Sequence, residues 1–410
     1  MRDATIRLRY LDEVLEALFP PAGENIPAAG ERDRILSGEG RARSSAGEAR
    51  DRFPAPPGHG RYLAGGRSDG PWPPGVTART VLPHRLVPRR VVPRAWWHAA
   101  LGRGLLTGGA SGTIETHLSE VFGRRVRVVV HVRPARRANR KPVLEAYDAS
   151  GLVSFVKIGD SERARELVRH EGEVLRGLAD RPLKVVVPPT VLHQGVWRGL
   201  EVLALSPLPV TSRPVSSRPV RFRSVSSRLV TSRRVPAGLL ASAVQEIAAL
   251  GPITRQATGG PIPMRHDGPP GDLHSDLRSD PHAGPYADRG RTAAWHGDFT
   301  PWNTAAGADG RLLVWDWERF AVGVPVGFDA LHHFFHRALR RMSPPVAARA
   351  CLAQAGRILE PFGADATAAR RTAAHYLITL AERHRRDGHE PLGSPASWLN
   401  PVIDHLECLL

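Results

Sequence analysis

Between Arg125 and Pro209 the chain runs in short valine-rich stretches, and beyond Phe328 its apolar residues recur at helical spacing. RVRVVVHV (125–132), KPVLEAYD (141–148) and LVSFVKIG (152–159) are predicted strands, the last two joined by a turn at 149–151. SERARELVRHEGEVLRGL (161–178) carries Leu167, Val168, Val174, Leu175 and Leu178 on one face, with Ser161 as its N-cap. VVVPPTVLHQG and GLEVLALSPLP supply two further strands. Helices are then predicted over 237–251, 328–342, 344–361, 366–386 and 396–409. Strands segregated from helices imply an α+β chain with a small β-rich N-lobe and a mainly helical C-lobe.

Outside these stretches the composition turns against regular structure. Residues 1–94 hold one short helix, roughly Ile6 to Phe19, and then a Gly-, Pro- and Arg-rich tract expected to be a largely low-complexity extension. Order is expected from about residue 95, where AWWHAALGRGLL and TIETHLSEVFG are predicted as two short helices. Val210, Val215, Val220, Val225, Val230 and Val235 mark a five-residue period, shared by Arg213, Arg218, Arg223, Arg228 and Arg233. Five matches neither helix nor strand, so 210–236 is expected to be an inserted repeat. The expected organisation is extension (1–94), N-lobe and hinge (95–209), insert (210–236) and C-lobe (237–410).

The net charge is +17, and its location limits its meaning. Residues 81–142 carry +11 and 207–236 carry +7, while 296–410 balance 12 Arg against 12 acids. No aromatic–basic interleaving accompanies the positive segments, so no specific nucleic-acid partner is expected. Two cysteines, Cys351 and Cys408, exclude a disulfide framework. No apolar run approaches the ~20 residues that span a bilayer, and the N-terminus lacks a signal-peptide pattern. No membrane association and a cytoplasmic location are therefore expected.

The chemistry-bearing stretch is WHGDFTPWN (295–303), followed by LLVWDWERF (312–320). Phosphoryl transfer needs a carboxylate to orient the attacking hydroxyl and oxygen ligands for magnesium. Asp298 is the candidate base, Asn303 a neutral ligand on the same loop, and Asp316 a ligand at the end of an apolar strand. An oxygen-only set suits Mg²⁺ rather than zinc. His274-Ser275-Asp276 provides an internal control: five residues after Asp276 stands Pro281, and no apolar strand ending in Asp follows at the right distance. That second group, with Asp272, Asp280 and His282, reads as a solvated loop.

HGDFTPWN followed by VWDWE resembles the aminoglycoside phosphotransferase and choline kinase family, which has the protein-kinase-like fold. The resemblance spans roughly 112–206 and 237–400. It implies that Asp298 is the catalytic base, that Asn303 and Asp316 bind magnesium, and that His296 supports the loop. Glu318 would contact a second magnesium directly or through water, and Asp329 would stabilise the lobe near the site. It also implies a strand lysine for the ATP phosphates, paired to a helix glutamate. Lys157 and Glu171 match, with Glu173 as the fallback. Lys157 is conspicuous because the chain has 54 Arg and only three Lys, and Arg is no substitute for Lys at a phosphate site. A hinge holding adenine by backbone groups falls at Val202, Ala204 and Ser206. The turn at 133–142 lacks the glycines that protein kinases place over the phosphates. His332, His333 and His336 lie on one helix; His332 and His336, four apart, have the spacing of a metal-ligand pair, and the face reads as packing among aromatics.

These features imply an ATP-dependent (or GTP-dependent), Mg²⁺-requiring transfer to a small-molecule hydroxyl, of the amino sugar, aminoglycoside or amino-alcohol class. The alternative is a nucleotide-binding pseudokinase with little turnover. Oligomeric state is left open.

Overall fold

The computed structural model describes residues 2–20, 62–63, 76–84, 87–93, 103–108, 112–132, 140–209, 235–252, 292–388 and 391–402. The tract at 21–61, most of the glycine-free turn (133–139), nearly all of the five-residue repeat (210–234), the loop with His274 and Asp276 (253–291) and the C-terminal residues from 403 lie outside them. The chain divides into two compact units. The first comprises Met1–Arg176, Pro188–Pro209 and Glu382–Pro391; the second comprises Gly177–Val187, Val210–Ala381 and Leu392–Leu410. Strands dominate the first and helices the second, a mixed α+β composition.

The first unit is built on one antiparallel sheet. Its strands are β1 (Tyr62–Leu63), β2 (Val76–His84), β3 (Val87–Pro93), β4 (Arg103–Gly108), β5 (Arg127–His131), β6 (Val143–Asp148), β7 (Gly151–Gly159), β9 (Val191–Trp197) and β10 (Leu200–Leu205). They lie in the order β1-β4-β2-β3-β5-β6-β7-β10-β9. Helix α1 (Arg2–Leu18) puts Tyr10, Leu11, Val14, Leu15 and Leu18, with Phe19 beyond it, into the core formed with the valines of β5 and β7. The spacing of those residues is that of one helical face. Helix α2 (Ile114–Phe122) is capped by Thr113, whose side chain accepts from Thr116 N, and ends at Gly123 in the left-handed region.

A buried arginine ties these layers together. Arg79 on β2 is 1% exposed, donates to Val128 O, pairs with Glu115 of α2 at 2.6 Å and lies 4.0 Å over the Phe19 ring. A charge removed from water this fully is tolerable only when paired and hydrogen-bonded, as it is here.

Three expectations are corrected. Helix α1 is part of the core, and β2 and β3 extend the sheet through residues expected to be low-complexity extension. The stretch RGLLTG forms β4 rather than a helix. The prolines at 83, 88 and 93 hide the strand pattern from a sequence reading. In the structure Pro83 and Pro88 face each other beside a bulge, and Pro93 ends its strand, so few ladder bonds are lost.

In the second unit a three-stranded sheet joins β12 (Thr304–Ala306), β13 (Leu312–Val314) and the parallel β8 (Val186–Val187). Strands β11 (Thr292–Trp295) and β14 (Ala321–Pro325) pair antiparallel. The helices are α4 (Ala237–Ala248), α5 (Phe328–Ala338), α6 (Pro344–Ala353), α7 (Ala355–Leu359), α8 (Ala366–Arg386) and the short α9 (Pro395–Trp398). Trp295, Phe328, Leu331, Phe335, Cys351, Tyr376, Leu377, Leu380 and Trp398 form its core. Glu246 of α4 accepts from the backbone N–H groups of Lys184, Val185 and Val186, anchoring the segment that leads into β8. Among the described residues no helix is long and apolar enough to cross a membrane.

Candidate active site

In the first unit, alternation along β7 sends Ser154, Val156 and Ile158 into the core and leaves Lys157 on the opposite face. Helix α3 (Glu162–Ala179) buries Ala164, Leu167, Val168, Glu171, Val174 and Leu175 along one stripe. Glu171 lies on that stripe and Glu173 is exposed, which separates the two candidates by helical phase. Lys157 Nζ donates to both carboxylate oxygens of Glu171, at 2.7 and 2.5 Å. The Lys157 side chain is 12% exposed and Glu171 is fully buried. The carboxylate thus fixes the ammonium at the end of a flexible stem.

The hinge residues are placed differently from expectation. Val202 and Ala204 lie in β10, which is paired with β7 on one side and β9 on the other. An interior strand spends its backbone donors and acceptors on the ladders, so Val202 and Ala204 have none to offer adenine. Ser206 N donates to Thr190 O, and its hydroxyl accepts from Thr190 N.

In the second unit the loop between β11 and β12 carries His296, Gly297, Asp298 and Asn303. Asp329, in the first turn of α5 and 2% exposed, accepts from His296 N at 2.7 Å and Gly297 N at 3.2 Å. Gly297 has φ +79, and a Cβ there would stand 2.1 Å from Arg319 O. Only glycine fits this turn. His296 is fully buried, packs its ring 4.6 Å from that of Trp317, and accepts from Asp298 N at 3.2 Å.

Asp298 is the solvent-reachable member of this set: its side chain is 30% exposed. Asn303 Nδ2 donates to its Oδ2 at 2.8 Å and to its backbone oxygen at 3.0 Å. This leaves the amide oxygen of Asn303 as its one metal-ligating atom. Trp315 N donates to Asn303 O at 3.1 Å, and Thr304 pairs with Val314, so β-pairing brings Asn303 alongside the chain just before Asp316. Asp316 sits at φ +71, a region uncommon for residues other than glycine and enriched at functional sites. Asp316 and Glu318 are 8% and 6% exposed, and one carboxylate oxygen of each lies within 4.8 Å of the other. Two buried carboxylates at this separation repel, and a shared divalent cation relieves that repulsion. The set fits a hard, oxygen-coordinated ion such as Mg²⁺.

One contact lay beyond the sequence reading. His332, expected to pack among aromatics or, with His336, to offer a metal-ligand spacing, has Nε2 3.3 Å from Asp298 Oδ1 and Nδ1 3.0 Å from the Tyr376 hydroxyl. The available signal was spacing: three residues after Asp329 on a helix falls on the same face. His333 lies on this helix as well, its pKa pushed down to about 4 by burial and by the nearby Arg337 cation.

No protein-family model matches the chain, and no curated protein does. Solved structures are similar to it. A fructosamine-3-kinase from Haemophilus somnus 129PT is 15% identical, with 71% of this chain and 96% of that chain covered and a TM-score of 0.42. The streptomycin–ATP ternary complex of APH(2")-IIa is 14% identical, with 60% and 88% covered and a TM-score of 0.33. Choline kinase LicA from Streptococcus pneumoniae is 15% identical, with 58% and 89% covered and a TM-score of 0.27. At this identity and these scores, none of them fixes the activity of this chain.

Proposed function

We propose that the chain is a phosphotransferase that moves the γ-phosphoryl group of a nucleoside triphosphate onto a hydroxyl of a small molecule. The observation that carries this reading is Asp298: a partly exposed carboxylate among the buried residues His296, Gly297, Phe299 and Thr300, with Asn303 and His332 on its two oxygens. A carboxylate so held can orient an alcohol and accept its proton as the phosphoryl group arrives. Asn303, Asp316 and Glu318 would hold Mg²⁺, which when bound neutralises charge on the phosphates. Lys157, steadied by Glu171, would contact the nucleotide phosphates. With Val202 and Ala204 engaged in β10, adenine or guanine recognition falls to the backbone beyond Leu205. The acceptor class proposed is an amino sugar, aminoglycoside or amino alcohol, with ATP or GTP as donor.

The test is a panel of alcohol acceptors assayed with Mg-ATP and Mg-GTP, on the parent chain and on Asp298→Asn. The variant is expected to lose at least about 10²-fold in turnover while its unfolding midpoint stays put. Undiminished transfer by Asp298→Asn would remove Asp298 from the mechanism.

A further inference from the structure

We propose that His332 is a positioning residue for Asp298, acting as a fixed neutral donor that sets the orientation of its carboxylate. The inference rests on the phosphotransferase reading for its catalytic consequence and on geometry for the contact itself. His332 is fully buried, so both ring nitrogens need partners. Nε2 faces Asp298 Oδ1 at 3.3 Å, and Nδ1 faces the Tyr376 hydroxyl at 3.0 Å. An ionised carboxylate only accepts, so the proton sits on Nε2. In the neutral ring Nδ1 is then an acceptor, and the Tyr376 hydroxyl donates to it. This assignment satisfies all three groups in one chain of donors: Tyr376 to His332, His332 to Asp298.

The ring is held as well as bonded. Its centroid lies 4.2 Å from that of His336, 5.9 Å from Tyr376 and 6.3 Å from Trp295. With His332 on Oδ1 and Asn303 on Oδ2, rotation of the Asp298 carboxylate breaks two bonds at once. The carboxylate lone pairs not used by these donors keep one orientation toward an incoming hydroxyl. A proton taken from that hydroxyl stays on Asp298, because Nε2 already carries its own. Tyr376 comes from α8, 44 positions along the chain, so the donor chain also couples the loop to a second helix.

Two experiments test this. In the first, His332→Leu, His332→Gln and Tyr376→Phe are compared in steady-state kinetics on the acceptor that the panel identifies. His332→Leu should lower kcat about 10²-fold with both KM values unchanged, the effect of a misplaced catalytic group. His332→Gln, whose amide N–H reaches the Nε2 position, should recover to within about tenfold of the parent. Adding His332→Leu to Asp298→Asn should cost nothing further, because the two act as a unit. Unchanged kcat in a folded His332→Leu, or full additivity with Asp298→Asn, overturns the proposal. In the second, two-bond ¹H–¹⁵N spectra of histidine-labelled protein, assigned with His332→Gln, report the tautomer without any turnover. The Nε2–H form, shifted by both Asp298→Asn and Tyr376→Phe, is expected. The Nδ1–H form overturns the proposal even if the chain is active. Inactivity on every acceptor would instead remove the phosphotransferase reading, leaving the spectra to decide the contact.

Discussion

Asp329 gives the sharpest stability test, because its work can be counted. Its carboxylate accepts two backbone N–H groups, from His296 and Gly297, and it is 2% exposed. Asp329→Ala leaves both donors buried and unpaired. Each costs about 1–3 kcal/mol, so the variant should lose about 2–6 kcal/mol. Asp329→Asn keeps one accepting oxygen and orphans one donor, so it should lose about 1–3 kcal/mol. Urea unfolding followed by tryptophan fluorescence is a suitable assay, since Trp295 and Trp317 flank the loop. An unchanged m-value would show that the unfolded reference is the same. If Asp329→Ala unfolds within about 1 kcal/mol of the parent, the two N–H groups are not held by this carboxylate and the account of the loop is wrong.

Gly297→Ala should cost at least about 2 kcal/mol and abolish turnover, because its φ is +79 and the new Cβ meets Arg319 O; a thermally unshifted variant would refute this. Leu15→Ala should destabilise the first unit by about 2–5 kcal/mol, since Leu15 is 1% exposed; a loss below about 0.5 kcal/mol in chemical denaturation would mean that α1 is only loosely attached. His333 should impose a pH dependence. Its folded pKa of about 4 lies below the ordinary 6.5, so it contributes stability that is complete above about pH 6.5 and is lost as pH falls toward 4. The contribution is up to about 3 kcal/mol. His333→Gln should remove that part of the slope, and parallel pH–stability curves for parent and variant would count against it. Lys157→Ala should strand the buried Glu171 and cost about 3–5 kcal/mol along with nucleotide binding; calorimetric titration with Mg-ATP and an unfolding curve check both.

How far the sequence could be read depended on the range of each interaction. The strands at 127–131, 143–148 and 151–159 and the helix at 162–179 were legible because period-two and period-3.6 burial is written into neighbouring residues. The N-terminal helix was visible but its burial was not, since nothing local says that Tyr10, Leu11 and Leu15 meet a sheet built from strands far along the chain. Strands β2 and β3 were hidden by their prolines, and β4 (RGLLTG) by its two glycines and lack of apolar alternation. The Lys157–Glu171 pair was expected from the family resemblance, and helix phase separated Glu171 from Glu173. The hinge assignment failed at Val202 and Ala204 because an apolar run of six does not reveal whether one or both of its edges are paired.

The candidate site residues of the second unit divide along the same line. Asp298, Asn303 and Asp316 stand within 19 residues of one another, so residue type and spacing marked them as an oxygen-rich, carboxylate-bearing set, to which the family resemblance added Glu318. What holds Asp298 in place was decided elsewhere. Asp329 and His332 are more than 30 residues beyond it, and Tyr376 lies 44 further along from His332. Chemical identity is carried by single residues and survives in a one-dimensional reading. Orientation and protonation come from groups that only the folding of the chain brings within 3.3 Å.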